Sequence, residues 1–144
     1  MPVTGIEVNK KLENRNTYIY VELTGRVRNG NSSQVEKASR LALEAINMAD
    51  EAGINKIFCN AEHLNVKISL LDRFTFGVFL AGKNMERMLT RKQSLKVAFF
   101  ANPALIDPGK IGATVARNRG LDVIVTSDKQ EALNWLGVED NNQV

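Results

Sequence analysis

The chain has 144 residues, 44% of them hydrophobic, which suffices for one well-buried core and is short for two. Its 19 Lys and Arg against 16 Asp and Glu give a formal net charge of +3, too even a balance to point to nucleic acid or another polyanion. A single cysteine, Cys59, excludes an internal disulfide and any all-cysteine metal site; it fits a reducing compartment, so the expected location is the cytoplasm.

The N-terminal MPVTGIEVNK has no cationic lead into an apolar core, and no apolar run reaches membrane-spanning length, so neither secretion nor membrane insertion is expected. Residues 6–12 and 17–24 read as two strands of a hairpin closed by the polar turn 13–16. In the second strand Tyr18, Tyr20 and Glu22 alternate with Ile19, Val21 and Leu23, and the second set is expected to face the core. Gly25 is expected to end that strand, and 28–32 is a polar loop. Ser33 and Glu36 form a capping-box pair opening a helix on which Val35, Ala38, Leu41, Ala42, Ala45, Ile46 and Ala49 share a face. Gly53 stops it.

The stretch 55–73 is the centre of the chain. Lys56-Ile57-Phe58-Cys59 is a β-branched and aromatic run that predicts a buried strand, which Asn60 then leaves. Ser69, with Asp72 three residues on, predicts the N-cap of a long helix. Along it Leu70, Phe74, Val78, Ala81, Met85, Met88 and Leu89 recur at spacings of three and four, an apolar stripe. Leu71, Phe76, Phe79 and Leu80 add apolar surface beyond that stripe, more than one sheet covers.

Residues 95–101, LKVAFFA, read as an interior strand with helices on both sides of the sheet. Asp107-Pro108 predicts a capped helix start, running to Arg119 with Gly120 beyond it. A strand at 121–126 and a last helix at 129–136, capped at Ser127-Asp128, complete the order. Residues 1–138 therefore form one domain and 139–144 a polar tail. The fold class is α/β: a mixed, mainly parallel β-sheet built by right-handed crossovers, with an N-terminal hairpin and about four helices.

Over 17–137 this order, with Leu95-Lys96-Val97-Ala98, the helix ending Arg117-Asn118-Arg119-Gly120 and the closing Ala132-Leu133-Asn134-Trp135-Leu136, resembles the SpoIIAA-like group of the STAS fold. That group comprises anti-sigma-factor antagonists and Sec14-like bacterial proteins. The resemblance implies a non-catalytic regulatory or protein-interaction module, with a kinase-like regulator as partner. It places Ser69 at the position of the antagonists' phosphorylated serine, although Ile68 before it and Leu70-Leu71 after it depart from the acidic and small neighbours found there. A phosphate on Ser69 would meet free N–H groups and the helix dipole while putting negative charge on a contact surface. Asn60, Glu62, His63 and Asp72 would share that surface. The Sec14-like side implies the alternative, a small apolar-ligand carrier using Leu71, Phe76, Phe79 and Leu80.

No catalytic constellation is present. His63, near Cys59 and Glu62, lacks the further ligands a metal needs and the orienting third group a nucleophile needs. No glycine-rich phosphate loop follows a strand, so no cofactor is expected. Lys83, Arg87, Arg91, Lys92 and Lys96 form a basic zone without interleaved aromatics, read as a solvated face rather than a nucleic-acid site. The breadth of apolar surface on the long helix fits a homodimer interface.

Overall fold

A computed structural model describes residues 6–27, 34–65 and 68–140. The elements are β1 (Ile6–Asn14), β2 (Ile19–Val27), α1 (Gln34–Ala52), β3 (Lys56–Asn65), α2 (Leu70–Arg91), β4 (Lys96–Ala101), a 3-10 turn (Pro103–Leu105), α3 (Ile111–Asn118), β5 (Asp122–Thr126) and α4 (Lys129–Leu136). They form a five-stranded mixed sheet in the order β1-β2-β3-β4-β5, with β1 antiparallel to β2 and every other pair parallel. This is the architecture the sequence implies.

Strand alternation sends side chains to two separate cores. Ile19, Val21, Ile57, Cys59, Val97 and Val123 face the layer made by α1, α2 and α3. Tyr18, Tyr20, Phe58, Ala98 and Phe100 face α4, where Ala132, Leu133 and Leu136 close over them. Tyr18, just ahead of β2, and Tyr20 within it are therefore as deeply buried as Ile19 and Val21, because α4 covers what would otherwise be the wet side of the strand.

Several boundaries differ from the sequence expectations. The hairpin turns at Arg15 to Thr17, with Asn16 at φ 71°, and β2 passes through Gly25 instead of ending there. Asn60 stays in the sheet: β3 continues to Asn65, and one extra residue between Asn60 and His63 bulges it against β2. Pro108 lies in a turn ahead of α3; Asp107 still serves the helix, its Oδ2 accepting from the Ile111 N–H at 2.9 Å. The polar loop 28–32 and the Ser33 cap lie outside the described residues.

The largest correction concerns the rotation of α2. The apolar stripe read from the spacing is not the buried side: Leu70, Phe74, Met85, Met88 and Leu89 are exposed, and of its members only Ala81 is buried. The buried arc is Gly77, Leu80, Ala81, Asn84 and Arg87. Two polar residues lie there, each with a bond of its own, although the Arg87 Nη1 is buried without a hydrogen-bond partner. Asn84 Oδ1 accepts the Leu95 N–H at 2.7 Å, and Arg87 Nε donates to Asp50 on α1 at 2.6 Å. The Arg87 pair also splits the expected basic zone, which Lys96 leaves as well by lying over the Trp135 ring at 4.7 Å.

Candidate functional site

Ser69 is the N-cap of α2, as its spacing to Asp72 predicts. Its Oγ accepts the Asp72 N–H at 3.1 Å, and its backbone is extended, at φ −68° and ψ 159°. The side chain is exposed, as are Leu70 and Leu71 beside it. Arg73 anchors the turn below. Its Nη1 donates to Leu105 O at 2.8 Å and to Asp107 at 3.2 Å, and its Nε donates to Ile68 O at 3.2 Å. Nothing in the sequence pairs Arg73 with Asp107, since 34 residues separate them.

The other residues expected around Ser69 do not gather there. Asn60 belongs to the α4 side of the sheet, donating to the Tyr20 hydroxyl at 3.0 Å and accepting the Glu62 N–H at 3.0 Å. That Tyr20 hydroxyl donates in turn to Glu22 at 2.5 Å, and burial, reinforced by the carboxylate, pushes the phenol up to about 12. His63 and Glu62 are exposed and lie 3.5 Å apart. Asp72 is the one predicted companion that adjoins Ser69. Cys59 is buried, and loss of solvation pushes its thiol up to about 12, far from a reactive thiolate. Among the described residues no three His, Cys, Asp or Glu side chains are grouped to hold a metal ion.

The four residues expected to form one apolar surface divide in two. Leu71 is exposed; Leu80 is buried, and Phe76 and Phe79 pack against the core. What remains outside is coherent nonetheless. Among the described residues every exposed large hydrophobic, namely Leu70, Leu71, Phe74, Met85, Met88 and Leu89, belongs to α2. They form two groups, Leu70, Leu71 and Phe74 in its first turns and Met85, Met88 and Leu89 toward its end, and exposed hydrophobics gathered in this way mark contact surfaces.

Inside, between the sheet and the α1–α3 layer, lies a cavity of about 240 Å³. Val21 and Cys59 form part of its floor, and Ala45, Phe76, Leu80 and Ala113 part of its roof. Its charged residues, Asp72, Arg73, Asp107 and Lys110, gather where α2 begins and α3 is entered. The roof mixes large side chains, Leu41, Ile46, Phe76 and Leu80, with small ones, Ala38, Ala42, Ala45, Gly77, Gly112 and Ala113. At one point two of its helices touch: a Cβ on Gly77 would meet Gly112 O at 2.4 Å, so α2 and α3 lie backbone to backbone.

No protein-family model and no curated protein matches the chain. Among solved structures it is similar to an uncharacterised protein of the DUF3478 family with a SpoIIAA-like fold from Shewanella loihica PV-4. The two are 18% identical over 94% of this chain and 97% of that one, with a TM-score of 0.41.

Proposed function

We propose that the chain is a non-catalytic regulatory or protein-interaction module of the cytoplasm, whose contact surface is the outer face of α2 with Ser69 at its head. The observation that supports this is the collection of all the exposed large hydrophobics of the described residues on one helix. A protein partner, such as the kinase-like regulator of the antagonists, would cover that band. Phosphate on Ser69 would set about two negative charges beside Leu70 and Leu71 and disfavour an apolar contact there. The test is affinity capture from source-cell extract with wild-type, Ser69→Asp and Leu71→Glu chains. A partner retained by the first and lost from both variants supports the module and its switch; identical sets of proteins on all three overturn it.

The cavity favours a second reading, in which the chain carries a small apolar ligand. Its walls are apolar except where α2 begins and α3 is entered, so such a ligand would be held within the fold, between the sheet and its helices. Among the described residues no helix is long and apolar enough to cross a membrane. Native mass spectrometry of the purified protein is the test. A bound apolar compound released by organic solvent supports this reading, and a bare polypeptide mass counts against it.

A further inference from the structure

The cavity between the sheet and the α1–α3 layer has walls of one chemical kind. Of the side chains that line it only those of Asp72, Arg73, Asp107 and Lys110 are polar or charged, apart from the neutral thiol of Cys59. No hydroxyl or amide side chain stands among them, so a hydrogen-bonding group carried deep into the cavity would find no side-chain partner. The volume is also bounded. The helices α2 and α3 cannot close up, since Gly77 already lies against Gly112 and a Cβ on Gly112 would stand 3.0 Å from Arg73 O. Ion pairs resist their parting: Asp50 on α1 holds Arg87 of α2 at 2.6 Å, and Asp107, ahead of α3, holds Arg73 at 3.2 Å. An apolar cavity of roughly 150 Å³ accepts benzene, so about 240 Å³ accommodates about ten carbons.

The charged end selects the head of such a molecule. Asp107 is engaged twice, accepting from Arg73 at 3.2 Å and from the Ile111 N–H at 2.9 Å, and Arg73 donates to Leu105 O and Ile68 O as well. Asp72 and Lys110 remain, and among the described residues neither is in an ion pair. A carboxylate placed here gains Lys110 but meets Asp72; an amine gains Asp72 but meets Lys110. A hydroxyl is repelled by neither, and it can donate to a carboxylate or accept from an ammonium. We infer that the cavity is the site of an uncharged amphipath of about ten carbons, an alcohol in chemical class. Its apolar body lies among Val21, Leu80 and Ala113, and its hydroxyl lies where α2 begins and α3 is entered. This rests on the second reading of the function, the carrier, and names what is carried. The two long chains of a membrane phospholipid do not fit.

Titration calorimetry with straight-chain alcohols is the test. From hexanol to decanol the affinity should rise roughly fourfold per methylene, and dodecanol should bind no more tightly than decanol. Leu80→Ala, which deepens the roof by about three carbons, should let dodecanol bind roughly fifteenfold more tightly than decanol. Ala113→Leu, which fills part of the space, should weaken decanol at least ~tenfold. Circular dichroism melting verifies that both variants fold. At the head, decanoate and decylamine should each bind at least ~fivefold more weakly than decanol, and Asp72→Asn should shift the ratio of decanoate to decanol affinity about fivefold toward the acid. Dodecanol gaining over decanol in the wild type, or failing to gain in Leu80→Ala, overturns the size limit and leaves the carrier in place. Decanoate or decylamine binding as tightly as decanol overturns the uncharged head alone. A decanol affinity indifferent to Ala113→Leu puts the binding outside the cavity and removes the carrier as well. If no alcohol binds but organic solvent releases another compound from the purified protein, the ligand class is wrong and the carrier stands; if no alcohol binds and the polypeptide is bare, both fall.

Discussion

The two faces of the sheet are filled in opposite ways. Against α4, Phe58 stacks with Tyr20 at 5.9 Å and Phe100 at 6.4 Å and meets Tyr18 edge-on at 6.2 Å, while Leu136 and Ala132 are wholly buried over them. Against α1–α3 the helices bring Ala45, Ala49, Ala81, Ala113 and Ala116, and about 240 Å³ stays open. One helix carrying leucines over aromatic rings closes its core, whereas three helices that set alanines among Leu41, Ile46 and Leu80 leave space in theirs. Large side chains set the packing on one side; helix-to-helix contact sets it on the other, with Gly77 against Gly112 as the stop.

The comparison breaks most readily at Phe58. Phe58→Ala should cost about 3–5 kcal/mol in urea unfolding, whereas Leu80→Ala, whose side chain already borders the void, should cost about 2 kcal/mol, the low end for such a change. Equal losses would mean that the two sides are packed alike. Gly77→Ala comes next. The added methyl forces α2 and α3 apart, at about 1–3 kcal/mol by the same unfolding curve, and a neutral outcome would show that the two helices separate freely. Ala113→Leu, directed into the cavity, should raise stability by about 1 kcal/mol and abolish any bound apolar compound; a loss of stability would show that the space is already occupied.

The smallest effect is a pH dependence with one contributor on each face. Cys59, on the hollow side, is raised from 9.0 to about 12, and Tyr20, on the filled side, from 10.0 to about 12. Both groups are neutral in the fold and ionise first in the unfolded chain, which then binds fewer protons than the native one. Their contribution is complete below pH 9 and drains away as pH rises toward 12. Thermal midpoints should therefore fall across that window, and the fall should be shallower in Cys59→Ala and in Tyr20→Phe. Identical slopes in all three proteins would show that neither group is shielded from water.

What the sequence made legible was local. Ser69 and Asp128 announce their helices, Gly53 stops α1, and the LKVAFFA run announces an interior strand, because each signal lies within a few residues of its effect. The facing of α2 was hidden by Asn84 and Arg87, polar residues whose partners, Leu95 and Asp50, lie 11 and 37 positions away. Asn60 looked like a strand end for the same reason: its partner, the Tyr20 hydroxyl, is 40 positions distant. Of the candidate site, Ser69 with Asp72 survived as a unit. The cavity had no sequence signature, since a void records how far apart three helices stand, and no single residue encodes that distance.

The order of the strands follows the order of the chain, β1 through β5. A polypeptide leaving the ribosome N-terminus first thus finds, for each new strand, a docking edge made of the strand synthesised before it. No strand waits for a partner from the far end, and each closure after the hairpin spans a single α-helix, so the entropic barrier to each step stays small. The sheet grows outward like a wall laid course by course. The last course, β5, is only five residues long and begins with exposed Asp122, so this edge of the sheet is a poor template for another strand.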